Sequence, residues 1–341
     1  MQTYRHPAPF QLESGEKLQV LEIAYHTFGR LNPARDNIIW VCHALTANSD
    51  VADWWPHTVE KGCFLDPEKW FIVCANIIGS HYGSTGPLST DPETGSPYYS
   101  QFPALTIRDM VNAHRILADA FRIDRIHALV GSSVGGFQAI EWAVSQPERF
   151  NRLILIATDA YATPWTIAID ETQRMAIEAD PTFGLPNPEA GAKGLAAARA
   201  IGLLTYRGAS GYNLTQTDTG EQTVADSLIP RNRRRPCTYQ QHQGQKLTRR
   251  YNAYSYHTIL NAFDTHDVGR RRGGRAKALA AICCPAIVIG ITTDLIFPPS
   301  DMRRLASLIP GAIYREIQSE FGHDGFLVEH AKLNSLLLNF I

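Results

Sequence analysis

The sequence predicts an α/β fold, with a mostly parallel sheet flanked by helices. Short apolar runs suited to buried strands alternate with segments whose apolar residues recur at helical spacing. At 341 residues, the chain is long enough for one large α/β domain with an insertion, or for two domains. The alternation stops between about residues 161 and 278, where helix-like segments follow one another. We therefore expect a core domain formed by residues 1–160 and 279–341, covered by a helical lid insertion formed by residues 161–278.

The first half of the chain supplies most of the predicted sheet. Residues 10–31 alternate apolar and polar side chains around a Ser-Gly-Glu turn, which predicts an antiparallel hairpin at the sheet edge. Apolar runs predict further strands, and a capped amphipathic segment predicts a helix. A Gly/Ser/Pro-rich stretch predicts a long functional loop. The strands are expected at residues 37–42, 70–78, 126–130 and 152–157, the helix at 106–121 and the loop at 79–103.

The second half begins with the lid and returns to the α/β pattern. Helix-like segments of the lid lie at residues 165–178, 191–206 and 239–263, and a Gly- and Arg-rich exit linker lies at residues 269–275. Strands are then expected at residues 285–291 and 312–317, with helices at 299–308 and 326–340.

Composition excludes several classes of function. The chain has 32 Lys and Arg against 33 Asp and Glu, so no broad basic bias indicates a nucleic-acid partner. The local basic run at residues 231–235 predicts a solvated loop. The cysteines lack metal-ligand spacing, so we expect free thiols and no metal. With neither a signal peptide nor an apolar run long enough for a membrane span, we expect a cytoplasmic protein without a membrane partner. The cysteines are Cys42, Cys63, Cys74, Cys237, Cys283 and Cys284.

A Gly-x-Ser-x-Gly motif follows the strand predicted at residues 126–130. Gly131 and Gly135 flank a central Ser133, and a helix-like segment follows. This strand-turn-helix context is typical of the nucleophile elbow of α/β-hydrolases, in which the serine hydroxyl is exposed at the top of the sheet. Ser132 is the rival nucleophile, but it lies one residue too early in the motif. The motif therefore predicts an α/β-hydrolase fold with Ser133 as its nucleophile.

Two further residues complete a candidate catalytic triad. A serine hydroxyl needs an adjacent base, itself oriented by an acid, and in α/β-hydrolases these follow in the order Ser, Asp or Glu, His. Asp294 follows the strand predicted at 285–291, and His323 follows the last predicted strand. Asp301 and Asp324 are the rival acids. Asp301 falls inside the next helix pattern, and Asp324 is too close in sequence to reach behind the imidazole easily.

Backbone donors and one basic residue extend this constellation. The N–H groups of Val134, at the start of the elbow helix, and of Leu45, after the strand at 37–42, are placed to form an oxyanion hole. Arg199 and Tyr206 are seven residues apart on a helix-like run and so share one face. Because Arg199 lies in an otherwise apolar segment, it needs a partner. The pattern does not decide whether this partner is a substrate carboxylate or an acidic residue of the chain itself.

Over nearly its whole length the sequence resembles the homoserine O-acetyltransferase family, the homoserine and serine O-acyltransferases of the α/β-hydrolase superfamily. The resemblance covers residues 42–49 (CHALTANS), 75–87 (ANIIGSHYGSTGP), 102–111 (FPALTIRDMV), 131–143 (GSSVGGFQAIEWA), 264–270 (DTHDVGR), 290–298 (GITTDLIFP) and 322–329 (GHDGFLVE). Matches this long, and in the same order, are very specific.

The resemblance implies ping-pong acyl transfer without a permanently bound cofactor. Ser133 would take an acetyl group from acetyl-CoA, and His323 would then activate the hydroxyl of L-homoserine, a step of methionine biosynthesis. It also implies that Arg199 binds the substrate carboxylate, that Tyr206 forms a pocket wall and that Asp324 binds the substrate ammonium. The lid would form a tunnel and the contact of a homodimer.

Several alternatives remain open at this point. Homoserine O-succinyltransferase and serine O-acetyltransferase use the same residues, and a plain esterase would release the acyl group to water. The predicted lid, Arg199 and Asp324 favour transfer, which requires water to be excluded and an amino acid to be recognised. A fold kept only as a binding scaffold would lack a triad member, and none is lacking.

Overall fold

The structure, a computed structural model, describes residues 1–217 and 234–341. Strands β1 to β10 are Gln2–Arg5, Phe10–Gln11, Lys17–Leu18, Glu22–Phe28, Ile38–Cys42, Phe71–Ala75, Ala128–Ser132, Leu153–Ile156, Ala286–Ile291 and Ile313–Ile317. An 8-stranded sheet has the order β1-β4-β6-β5-β7-β8-β9-β10. Strand β4 runs antiparallel to both of its neighbours, whereas the pairs from β6 to β10 are parallel. The prediction of a mostly parallel sheet is confirmed.

Helices cover both faces of this sheet. Helices α1 to α12 are Val51–Trp54, Ile107–Ala120, Val134–Ser145, Pro164–Glu178, Ala192–Tyr206, Ala209–Gln216, Arg235–Thr248, Ala253–Asp264, Arg275–Leu279, Pro299–Leu308, Gly325–Val328 and His330–Leu337. Short 3-10 helices lie at Tyr99–Gln101, Pro147–Arg149 and Gly322–Asp324.

The central strands separate two apolar layers because successive side chains point to opposite faces. On β5, Trp40 packs into the layer that contains buried residues of α2 and α3. Its neighbour Val41 packs into the opposite layer, which contains buried residues of α12. All five residues of β5 are buried, which explains why its sequence is apolar throughout rather than alternating. The central strands are therefore covered by apolar side chains on both faces.

A buried ion-pair network joins the start of the chain to the elbow helix α3. Glu13 pairs with Arg108 of α2 and with Arg270. Glu141 of α3, almost fully buried, pairs with Arg108 at 3.1 Å and with Arg272 at 2.5 Å. Because Arg270 and Arg272 lie where the chain leaves the predicted lid, the network ties that exit to the core.

The predicted hairpin at residues 10–31 is only partly right. A small hairpin of β2 and β3 exists, but it forms a separate two-stranded sheet and does not supply the edge of the main sheet. That edge is β1, which pairs with β4 and was not predicted because its sequence, Gln-Thr-Tyr-Arg, is mostly polar. An edge strand with exposed side chains needs no apolar pattern, so the sequence carried no signal for it.

Two predicted helices are each divided in the structure. The segment predicted as one helix at 239–263 forms α7 and α8, because Asn252 caps a new helix by accepting from the Ser255 N–H. The C-terminal helix predicted at 326–340 forms α11 and α12. Of the basic run at 231–235, the first three residues lie outside the described residues, and Arg235 is the first residue of α7 rather than part of a loop.

Helices follow one another between β8 and β9, over much of the segment predicted as the lid. In the described part of this segment, α4 packs against α5 and α8, and α5 packs against α7. No described helix combines the length and apolar character needed to cross a membrane. Within residues 1–217 and 234–341, no group of His, Cys, Asp and Glu side chains has the arrangement of a metal site.

Candidate active site

Ser133 lies at a sharp turn between β7 and α3. Its backbone has φ 55° and ψ −130°, a conformation that L-residues rarely adopt. The turn has no room for a side chain at Gly135, where a Cβ would lie 2.1 Å from the carbonyl oxygen of Cys42. At Gly131 a Cβ would lie 2.3 Å from the carbonyl oxygen of Gly135. Close backbone packing therefore explains both glycines of the motif.

The structure brings Ser133, His323 and Asp294 into one hydrogen-bonded chain. The Ser133 Oγ lies 2.8 Å from His323 Nε2, and His323 Nδ1 lies 2.8 Å from Asp294 Oδ2. The other oxygen of Asp294 accepts from the N–H groups of Ile296, at 2.8 Å, and Phe297, at 3.0 Å. This geometry fixes the imidazole with Nδ1 as donor and leaves Nε2 free to accept the serine proton.

Electrostatics favour His323 as a base. Burial lowers the pKa of His323, but the charge and hydrogen bond of Asp294, together with the charge of Asp324, raise it by more, so its pKa lies above the usual value. The rival residues are arranged differently. Ser132 is buried in β7 with no hydrogen-bond partner for its hydroxyl among the described residues. Asp301 lies in α10 and faces Arg304 at 3.5 Å.

Ser133 opens onto a cavity of about 510 Å³, whose lining also includes Leu45 and Val134. Val134 is the first residue of α3, where N–H groups have no acceptor within the helix. Leu45 follows β5, which pairs with β7 in register Cys42 to Gly131. The parallel pairing thus brings the loop after β5 and the elbow to the same edge of the sheet.

Sequence reasoning missed His43 and Gln138, which brace this loop against α3. His43 Nδ1 donates to the Ala44 carbonyl at 2.9 Å, and its Nε2 accepts from the Ile77 N–H at 3.1 Å. Burial lowers the pKa of His43 to about 4, so the ring is neutral at physiological pH. The only sequence signal for it was its place directly after an apolar strand, two residues before Leu45.

Gln138 of α3 is fully buried and reaches both sides of the elbow. Its amide donates to the carbonyl of Val134 at 3.2 Å and to that of His43 at 3.4 Å, and its carbonyl accepts from His114 Nε2 at 2.8 Å. One side chain therefore links the start of α3 to the loop that carries Leu45. Nothing in the pattern of the sequence distinguished this glutamine from an ordinary helix residue.

Arg199 and Tyr206, on α5, line the same cavity as Ser133. The Arg199 guanidinium lies 5.3 Å from the centre of the Tyr206 ring, within the range of a cation–π contact. Tyr206 in turn lies 6.2 Å from the His323 ring, centre to centre. Arg199 forms no ion pair with any residue that the structure describes. The internal ion pair left open by the sequence is therefore not found in the described residues.

Asp324 also lines the cavity, but it has a protein partner. Its Oδ2 lies 2.6 Å from Arg207 Nε, close enough for an ion pair, although the geometry is too bent for a regular hydrogen bond. Burial raises the pKa of the Asp324 carboxyl above its usual value, while Arg207, Arg199 and His323 each lower it. A half-buried carboxylate beside two guanidinium groups makes this part of the cavity suited to a ligand that carries both charges.

Comparisons with known proteins agree with this geometry. The family model of the alpha/beta hydrolase fold matches residues 37–330. A homoserine O-acetyltransferase of Cyclobacterium marinum is 44% identical over 96% of this chain and 92% of its own length. One from Trichormus variabilis is 39% identical over 99% of this chain and 92% of its own length.

Solved structures share the whole architecture. The homoserine O-acetyltransferase of Bacillus anthracis superposes with a TM-score of 0.91 at 22% identity, covering 99% of this chain and 97% of its own. An acetylester hydrolase from Corynebacterium glutamicum has a TM-score of 0.86 at 25% identity, over 99% and 95% of the two chains. The same fold thus serves both transfer and hydrolysis, and the likeness in sequence decides the family. The chain belongs to the homoserine O-acetyltransferase family of alpha/beta hydrolase fold proteins.

Proposed function

We propose that this protein transfers the acetyl group of acetyl-CoA to the hydroxyl of L-homoserine, through an acetyl-serine at Ser133. The observation that carries the proposal is the hydrogen-bonded chain Ser133–His323–Asp294 in a cavity that also contains Arg199, which forms no ion pair with the described residues. A hydrolase of uncharged esters needs the triad but not a cation that recognises a carboxylate, whereas transfer to an amino acid needs both. Membership of the family supplies the identity of the two substrates.

In the first half-reaction, Ser133 Oγ attacks the thioester carbonyl of acetyl-CoA while His323 Nε2 takes the serine proton. The negative charge that develops on the carbonyl oxygen is stabilised by the N–H groups of Leu45 and Val134. The tetrahedral intermediate then collapses, the carbon–sulfur bond breaks, and the His323 imidazolium returns the proton to the departing sulfur. CoA leaves as the thiol, and the acetyl group remains on Ser133 as an ester. Asp294 stabilises the imidazolium and keeps its orientation.

The second half-reaction reverses these steps with another nucleophile. His323 takes the proton of the homoserine hydroxyl, whose oxygen attacks the acetyl-serine carbonyl, and the released Ser133 Oγ recovers a proton from His323. We assign the substrate carboxylate to Arg199 and one wall of the pocket to Tyr206. The substrate ammonium is assigned to Asp324. Because Arg207 engages Oδ2 of Asp324, the oxygen proposed for the ammonium is Oδ1.

Residues 161–278 act, in this proposal, as a lid on the core formed by residues 1–160 and 279–341. Water would hydrolyse the acetyl-serine, so transfer requires a site from which bulk solvent is excluded. The α4 and α5 side chains that line the cavity, among them Ile169 and Arg199, support this role because they cover the elbow from above the sheet.

We further propose a homodimer assembled through lid helices α5 and α7. These helices form an apolar groove on their outer side, and Leu204, 58% exposed, lies in it. Leu214 of the adjacent α6 is 77% exposed. Exposed apolar side chains of this size favour a partner surface. Light scattering after gel filtration should give twice the monomer mass, and Leu204→Asp should shift the protein to monomer.

A cytoplasmic location is part of the proposal, since acetyl-CoA is supplied there and the six cysteines are free, with Cys42, Cys74 and Cys284 buried. Fractionation of cells that express the full chain would place the protein with soluble cytoplasmic enzymes; recovery outside the cytoplasm would contradict it.

A substrate panel tests the function. Acetyl-CoA or succinyl-CoA is combined with homoserine, serine or water, while free thiol and the ester product are followed. We expect sustained thiol release only with acetyl-CoA and homoserine, and a single stoichiometric release with acetyl-CoA alone. Release that no amino acid changes would make the protein an esterase, and preference for succinyl-CoA or serine would change the named substrate.

Variants test the assigned roles. Ser133→Ala should abolish the acetyl adduct detected by intact-protein mass spectrometry. Arg199→Ala should raise the KM for homoserine roughly 10- to 100-fold, the effect of losing a charged hydrogen bond, while leaving the first half-reaction nearly intact. Lys193→Ala is the matched control, because Lys193 is exposed on the same helix and does not line the cavity. An unchanged KM in Arg199→Ala would remove Arg199 from the proposed site.

A further inference from the structure

The exposed residues of the cavity lining mark its opening. Ser133, His323 and the other lining residues are buried or half-buried, whereas Asp53, Lys246 and Arg250 are exposed. Asp53 belongs to α1, and Lys246 lies in the last turn of α7. Anything that reaches Ser133 from solvent through this opening passes these three side chains, two of which are cationic.

Arg250 is held beside the opening by the loop that follows β5. Its Nη1 donates to the Thr46 carbonyl at 2.6 Å and to the Tyr82 hydroxyl, so the guanidinium is fixed next to Leu45. A guanidinium has five N–H donors, and these contacts use only part of them. In the described part of the chain, Arg250 has no carboxylate partner, and its remaining donors can serve a ligand.

Lys246 lies one helical turn before Arg250 on the same side of the chain. The Arg250 N–H bonds the Leu247 carbonyl at 2.9 Å, so the helical path continues past the end of α7 and residues four apart remain neighbours. Lys246 forms no ion pair with the described residues. Among the described residues, the two cations therefore form a pair of charges without ion-pair partners, and Asp53 is the acidic side chain exposed beside them at the opening.

We propose that Lys246 and Arg250 bind the phosphate groups of the acyl-CoA donor. This inference rests on the proposed function, in which the thioester carbon must reach Ser133 while the rest of the donor extends outward. The outer end of CoA carries a pyrophosphate and a 3′-phosphate, whereas homoserine is a zwitterion without net charge. Lysine and arginine are the side chains that bind phosphate best, Lys as a point charge and Arg as a fork of donors. The opening thus selects for the donor, and Arg199 inside the cavity selects for the acceptor.

The test compares two donors that differ only in the part of the molecule that carries the phosphates. Acetyl-CoA and S-acetylpantetheine present the same thioester, but the second has no phosphate. In Lys246→Glu, kcat/KM for thiol release from acetyl-CoA should fall roughly tenfold or more at low ionic strength, as expected for loss of electrostatic attraction. The value for S-acetylpantetheine should stay within about twofold, and added salt should shrink the difference between variant and wild type.

Further variants guard against an indirect effect. Lys246→Gln should lower the ratio of kcat/KM for acetyl-CoA to kcat/KM for S-acetylpantetheine by less than Lys246→Glu does. Asp53→Asn should raise this ratio. Lys193→Glu, an identical charge change elsewhere on the lid surface, should leave the ratio unchanged. Arg250 is less suitable for substitution because it also supports the Thr46 loop.

The outcomes separate this inference from the proposed function. Equal loss of activity with both donors in Lys246→Glu, or no loss with either, would overturn the phosphate site. Failure of the unmodified protein to form an acetyl adduct with acetyl-CoA or S-acetylpantetheine would instead overturn the proposed function itself.

Discussion

Asp294→Asn should reduce the rate of acetyl-serine formation by roughly 10³- to 10⁴-fold without unfolding the protein. In the native chain, Asp294 Oδ1 accepts from two backbone N–H groups, and Oδ2 accepts from His323 Nδ1. Asparagine can keep the two backbone bonds only by placing its NH₂ group towards the imidazole. His323 must then turn its acceptor nitrogen towards this NH₂ group, so that Nε2 carries a proton and can no longer take the proton of Ser133.

The opposite orientation of the introduced amide restores the active tautomer of His323 only at a cost in free energy. It would restore an acceptor for His323 but would point the NH₂ group at the N–H groups of Ile296 and Phe297. Two buried donors would lose their acceptor, each at a cost of about 1–3 kcal/mol. The inactive tautomer is therefore favoured by about 2–6 kcal/mol, which is consistent with the expected loss of rate at about 1.4 kcal/mol per factor of ten.

Single-turnover thiol release from acetyl-CoA measures this step directly, and thermal unfolding checks that the fold is kept. Asp301→Asn is the matched control, because Asp301 is a nearby acid that is 33% exposed and lies outside the hydrogen-bonded chain. A loss of less than tenfold in Asp294→Asn, or an equal loss in the control, would refute the assignment of Asp294.

Three other perturbations test the site and its support. Thiol release should decline as pH falls through the raised pKa of His323, since only the neutral imidazole accepts a proton, and a pH–rate profile that stays flat down to about pH 5 would contradict this. Glu141→Gln should lower the free energy of unfolding by roughly 2–4 kcal/mol in urea titrations, because Arg272 loses its charge partner and Arg108 keeps only Glu13. Gln138→Met keeps the volume but removes two donors, so kcat should fall roughly 10-fold or more with little change in KM, whereas a purely structural role would lower the melting temperature alone.

Matched substitutions separate these effects from general damage. Glu148→Gln removes an exposed acid from the same region and should change the free energy of unfolding by less than about 0.5 kcal/mol. His114→Phe removes only the hydrogen bond that His114 donates to the Gln138 carbonyl and should cost less activity than Gln138→Met. A larger loss of activity in His114→Phe than in Gln138→Met would mean that the hydrogen bonds from Gln138 to the carbonyls of Val134 and His43 do not support catalysis.

The candidate triad could be chosen from local patterns because each of its residues follows a predicted strand, although β10, which precedes His323, is only partly buried. Strands β7 and β9 are buried throughout, and Ser133 and Asp294 follow them at the same edge of the sheet. The hydrogen bonds in the structure support the assignment of His323 among 12 histidines, which the sequence made only from its position after the last strand.

Features that depend on contacts between distant segments could not be predicted. The polar edge strand β1 is held by backbone pairing with β4, and the bracing role of Gln138 depends on the approach of the loop that contains His43. The Arg207 partner of Asp324 likewise joins the end of α5 to the last loop. The assigned roles of Arg199, Tyr206 and Asp324 remain predictions, for which the variants above are the tests.

The unusual backbone of Ser133 has a consequence for attempts to make this enzyme more heat-resistant. A non-glycine residue at φ 55° costs on the order of 1–3 kcal/mol, and the folded protein bears this cost even when no substrate is bound. A screen that rewards only survival at high temperature should therefore enrich Ser133→Gly, which relaxes the turn and destroys the nucleophile. Directed evolution of this scaffold has to select for turnover and heat tolerance in the same round.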